Sequence, residues 1–210
     1  MEYIDLTDDT FEKKNSSAGE FTYPLKWQIL LGFIFAALEL GANYLQRFNP
    51  IPLYMDTTFT IASSFFGGAS GLITAAVYQV AANLLYVKSF VALAWALCSL
   101  TIVLIIRVYI KIRKKIEVPD LILLVFLISL IISLEGATIF TVLNGLTGYN
   151  EDSQVKFMYE FLSSNRVSEF ISALLPRIPV NLLDKAISVT LGYLSFRGVR
   201  RVIGLAQNTV

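Results

Sequence analysis

The chain has 210 residues, of which 55% are hydrophobic and 16% charged. Counting its 12 glycines brings the apolar share to about 61%, against about 45–50% in an ordinary soluble domain, and a water-soluble unit of this size could not hide so much apolar surface. A net charge of +1 gives no field for nucleic acid, and the absence of histidine removes imidazole metal sites and histidine acid–base chemistry, while the lone Cys98 has no partner for an intrachain disulfide.

Residues 1–23 are polar and mostly acidic, without the basic start and apolar core of a secretory signal, and are expected to form a cytoplasmic extension. From residue 24 to 201 the chain reads as an all-α integral membrane domain with six crossings, each tested against the ~20 residues that span ~30 Å of hydrocarbon. The first runs over Leu25–Gln46 and stops before Asn49-Pro50. A short second crossing (Ile51–Phe66) and a third (Ala69–Tyr86) are separated by Gly67-Gly68, where one bent or re-entrant element is the alternative. The fourth covers Ser89–Ile106. The fifth covers Leu121–Gly145, with Asp120 placed to cap it after Pro119. The sixth covers Ser172–Phe196, beginning near Pro176 and Pro179, and residues 202–210 form a short tail.

Between the last two crossings, Val155, Met158, Tyr159 and Leu162 recur at helical spacing. This predicts a short amphipathic helix, lying on the membrane or over a cavity, or else a surface loop with incidental periodicity. Lysine and arginine cluster near residues 13–26, 107–115 and 197–201, which puts both termini in the cytoplasm by the positive-inside rule.

Polar side chains are unevenly distributed in depth. Glu39, Asn43, Asp56, Gln79, Asn83, Tyr86, Lys88, Trp95, Glu135, Asn144, Arg177, Asn181, Asp184 and Lys185 all fall between the midplane and the external surface in this topology. The cytoplasmic halves are apolar. Such a bundle has the form of a cup open to the outside, since a through-pore would be polar along its whole length.

Arg177, Asn181, Lys185 and Ser188 lie on one helical stripe with Asp184 at its edge. Arg177 or Lys185 suits a carboxylate or phosphate and Asn181 a ring amide, and Trp95 could stack on a planar ring. The alternative is an internal cluster, for instance Lys185 with Glu39 or Glu135, that only locks helices together. On the first crossing Gly32-x3-Ala36 and Ala37-x3-Gly41 permit close helix approach, either within the bundle or to another membrane subunit. No P-loop, zinc-protease or serine-hydrolase motif occurs, so no catalytic residue, metal or cofactor is expected.

Two segments carry a family likeness: Ile51-Pro52-Leu53-Tyr54-Met55-Asp56-Thr57-Thr58 running into Phe66-Gly67-Gly68-Ala69-Ser70-Gly71-Leu72-Ile73-Thr74, and Pro176-Arg177-Ile178-Pro179-Val180-Asn181-Leu182-Leu183-Asp184-Lys185. In these the chain resembles the substrate-binding S component of energy-coupling factor (ECF) importers. The resemblance implies a six-helix capture protein of a bacterial or archaeal cell membrane that takes up a vitamin-like small molecule. It also implies a transmembrane coupling subunit and cytoplasmic ATPase subunits as partners. The docking face would be Gly32, Ala36, Ala37 and Gly41, although the alanine-only form of that motif is not reproduced. The ligand would meet Glu39, Asn43, Asn83, Trp95, Glu135, Asn144, Arg177, Asn181, Asp184 and Lys185. A membrane sensor signalling through a separate chain and an intramembrane enzyme using paired carboxylates such as Glu39 and Asp184 are the competing classes.

Overall fold

The computed structural model describes residues 23–46, 48, 53–113, 116–148 and 155–207. The expected N-terminal extension, the turn at Arg47 and Asn49-Pro50, the basic pair Lys114-Lys115, the side chains of Tyr86, Arg200 and Arg201, and the last three residues lie outside that set. Within it the chain is all helix: α1 Leu25–Gln46, α2 Thr58–Phe66, α3 Gly68–Ala82, α4 Ala96–Arg113, α5 Val118–Thr147, α6 Lys156–Ser164 and α7 Glu169–Gln207. A π-helical turn, Asn83–Val87, ends α3, and a 3-10 segment, Phe90–Trp95, leads into α4. Among the described residues four stretches are long and apolar enough to cross a membrane, namely Leu25–Gln46, Gly68–Leu85, Leu93–Arg113 and Val118–Thr147. Leu30, Phe33, Leu104, Ile122, Leu130 and Leu194 are all exposed on the outer surfaces. A surface so apolar is compatible with a multi-pass membrane protein.

Three elements differ from the sequence expectation. The fourth crossing, expected over Ser89–Ile106, is α-helical from Ala96 and continues to Arg113. The second crossing is helical only over the nine residues of α2, which at ~1.5 Å per residue reach about 14 Å and cannot span hydrocarbon. Residues 53–57 before it are irregular, and Met55 adopts a left-handed φ of 46°. The last helix starts at Glu169, seven residues before Pro176, runs through both prolines and extends to Gln207, so it has 39 residues and includes most of the expected tail. Asp120 is the third residue of α5, not its cap: it reaches back to the Glu117 amide (3.0 Å) and also accepts from Tyr109 (2.9 Å).

Contacts fix the helix directions. Tyr23 N donates to Phe66 O (3.2 Å), while Gln28 donates to Tyr23 O (2.6 Å) and accepts from Ala69 N (3.1 Å), so α2 ends and α3 begins beside the start of α1. Thr74 then donates to Gly32 O (3.1 Å), making α1 and α3 parallel neighbours. α2 runs the opposite way and is buried nearly all round. Its walls are α1, α3, α4 and α7, and it packs most heavily on α7 and α3. Gly192 on α7 makes that approach possible, because a Cβ there would lie 3.1 Å from the Ala62 backbone.

The apolar core occupies the half of the bundle where α1 begins. Phe35, Ile61, Phe65, Phe66, Ile102, Ile106, Leu124, Ile128, Val189 and Phe196 form one cluster there, with Phe66 edge-on to Phe196 at 5.2 Å. Enlarging Gly192 to leucine forces α2 off α7, and we expect a loss of about 1–3 kcal/mol of stability, seen as a lower unfolding midpoint of the purified protein. Gly198→Ala, where nothing lies within 4 Å, should leave the midpoint unchanged or raise it.

Candidate functional site

The irregular segment 53–57 delivers its polar groups to the middle of the bundle, at the buried start of α2. A helix start leaves amides without intrahelical acceptors, and one of them, Thr60 N, is taken by Glu39 Oε2 of α1 at 2.6 Å. Glu39 thus caps α2 from a neighbouring helix. The other side of the segment is held by α7. Asp184 accepts from Met55 N (3.0 Å) and from Lys185 Nζ (2.6 Å), and Lys185 also donates to Thr57 Oγ1 (2.6 Å) and lies 3.9 Å from Asp56. One turn further on, the hydroxyls of Thr58 and Ser188 meet at 2.9 Å.

Glu39, Asp184 and Lys185 are at most 1% exposed. Asp56 differs: 39% of its side-chain surface is accessible. Cys98 of α4 is within electrostatic reach of Asp56, Lys185, Glu135 and Arg177, so charges from three elements, the irregular segment, α5 and α7, lie near the same interior region. Glu135 Oε1 accepts from Thr101 (3.1 Å). Its Oε2, together with Glu39 Oε1 and Thr60 Oγ1, is buried and without a hydrogen-bond partner among the described residues.

Toward the far end of the bundle an aromatic wall takes over. The Arg177 guanidinium carbon sits 5.2 Å from the Phe140 ring centre and 5.9 Å from that of Trp95, and one of its nitrogens donates to Ala173 O (2.7 Å). Gly136 of α5 lies beside this group: a Cβ there would be in ordinary contact with Trp95 and Arg177, at 3.4 and 3.5 Å. The helix expected from residue spacing is present as α6, and its Tyr159 stands edge-on to Phe140 at 4.9 Å, covering this end.

The remaining candidates have different partners. Asn181 donates to Ser133 (3.0 Å) and its carbonyl accepts from Ser129 (3.2 Å), which ties α7 to α5. Asn144 donates to Glu169 (2.5 Å), joining the end of α5 to the start of α7. Asn83 uses its side-chain oxygen for Ser89 N (2.9 Å) in the turn that ends α3. Asn43 is half-buried one turn beyond Glu39. The small residues of α1 divide between two faces: Gly32 and Ala36 are buried, with Gly32 pressed against Ile73, whereas Ala37 and Gly41 are exposed.

Asp56, Thr57 and Thr60 carry more of the site than their place in a short apolar run indicates. The signal for them was the Asp-Thr-Thr-x-Thr cluster itself, five residues crowded with helix-capping side chains. Among the described residues no group of three or more acidic or cysteine side chains is placed to hold a metal ion. No protein-family model, curated protein or solved structure matches the chain.

Removing one member of a buried ion pair strands the other. Lys185→Met should cost about 3–5 kcal/mol, measured by thermal or denaturant unfolding of the purified protein, and the double change Asp184→Asn with Lys185→Met should recover part of that loss.

Proposed function

We propose that this chain is the membrane-embedded capture subunit of an ATP-driven micronutrient importer, binding a vitamin-like small molecule in a pocket open to the outside. The observation that carries this reading is Asp56, a carboxylate 3.9 Å from the buried Lys185 that still has 39% of its side-chain surface free. A charged group is costly to keep in such a place unless water, a ligand or a partner compensates it. The ligand would meet Glu39, Asp56 and Glu135 on one side and the Arg177, Trp95 and Phe140 wall on the other.

The helix directions support a six-crossing topology. In it α1, α3 and α5 run one way and α4 and α7 the other. The irregular segment and α2 together make the return between α1 and α3. Both termini then fall on one side, and the basic residues near 107–115 and 197–201 place that side in the cytoplasm of a bacterial or archaeal cell. The inner half of such a protein is plugged by the phenylalanine-rich core, so release of the ligand inward needs an external source of work. The likeness of residues 51–74 and 176–185 to ECF S components supplies one, a coupling subunit with cytoplasmic ATPases, and the exposed Ala37 and Gly41 of α1 offer a close-contact surface for it.

Affinity purification of the full chain from its own host in mild detergent tests this. The expected result is recovery of a membrane subunit together with an ATPase, and uptake of a micronutrient that stops when the ATPase is inactivated. Purification free of any ATPase, with uptake unaffected by loss of the gene, would sink the proposal.

A further inference from the structure

We infer that the captured molecule carries a positive charge, seated as an organic ammonium or similar cation against Glu39 and Asp56. This rests on the capture reading above and narrows it to a chemical class.

Among the described residues, the carboxylates of Glu39, Asp56, Glu135 and Asp184 and the cations Arg177 and Lys185 lie within electrostatic reach of Cys98 or Lys185. Lys185 and Asp184 satisfy each other at 2.6 Å, and Lys185 spends a second donor on Thr57. Asp184 spends its other oxygen on Met55 N. The pair is therefore closed, with Asp56 only at its fringe, 3.9 Å away. Arg177 is drawn toward the aromatic wall and the Ala173 carbonyl. Among the described residues the acidic side thus exceeds the basic side, and an arriving anion would add to the excess.

An independent observation points the same way. Glu39 is 0% exposed, its Oε2 is held by Thr60 N, and its Oε1 has no hydrogen-bond partner among the described residues. Glu39 and Asp56 are within electrostatic reach of each other. A fully buried carboxylate oxygen lacking a donor, next to a second carboxylate with free surface, calls for a ligand that brings N–H or cationic character to that spot. A divalent metal is a poor fit, because no three acidic or cysteine side chains among the described residues are placed to surround one.

The test uses the full chain in lipid nanodiscs. Protein-free yeast extract is separated into molecules retained by a cation exchanger, molecules retained by an anion exchanger and the flow-through, and each is scored for the shift it causes in the unfolding midpoint. Stabilisation by the cation-exchanger fraction is expected. Glu39→Gln and Asp56→Asn should each need about tenfold more of that fraction for the same shift, the loss that follows from removing a charged partner. If either variant fails to fold, native mass spectrometry of the wild-type protein decides, by identifying the released molecule and whether it is a cation at neutral pH. Stabilisation by the anion-retained or flow-through fraction alone, or an unchanged response in both folded variants, overturns the charge assignment and leaves the capture reading standing. Stabilisation by no fraction overturns both, with protons alone balancing the carboxylates.

Discussion

The arrangement depends on one buried ion pair. Asp184 and Lys185 are adjacent in sequence and almost wholly withdrawn from solvent, and they hold each other at 2.6 Å while reaching out to Met55 and Thr57. Charges in such a place are destabilising unless every hydrogen-bonding site around them is used. Meeting that requirement keeps residues 53–57 irregular: a helical Met55 would turn its amide to its own chain and leave Asp184 one donor short. The unwound segment in turn sets where α2 begins, and the start of α2 fixes Glu39.

The bundle is accordingly divided in its chemistry. At the end where α1 begins, Phe35, Phe65, Phe66 and Phe196 close the interior with apolar rings. Farther along come the carboxylates, the ion pair and then the Arg177 stack under α6. The polar half is also where the helices are least regular, with left-handed residues at Met55 and Lys88 and two prolines inside α7. Backbone groups freed by such irregularity are tolerable only in contact with protein, water or ligand.

Much of this was legible in the residues. Long apolar runs marked α1 and α5 within a few positions but set both ends of α4 about seven residues early, and the spacing of Val155, Met158, Tyr159 and Leu162 offered α6 as one of two readings. The stripe on α7 was visible because charges in an apolar run stand out. Three features were not legible. A run such as 51–66 has the composition of a crossing, and only the tertiary demands of Asp184 and Glu39 leave its first part unwound. Pro176 and Pro179 read as a helix boundary, but packing of α7 against α5 and α2 carries the helix through them. The pairing of Lys185 could not be assigned, because Glu39 and Glu135 were as plausible by depth as the neighbouring Asp184 that it uses.

The seclusion of α2 bears on how the molecule can be assembled. Nine residues containing two threonines and two serines make a poor guest for lipid by themselves. Yet the hydroxyl that Thr58 meets belongs to Ser188, 130 positions downstream. During synthesis this segment must wait, shielded by α1 and α3 or by the insertion machinery, until the final helix arrives to enclose it. Maturation of the interior is therefore a late event, governed by the arrival of α7.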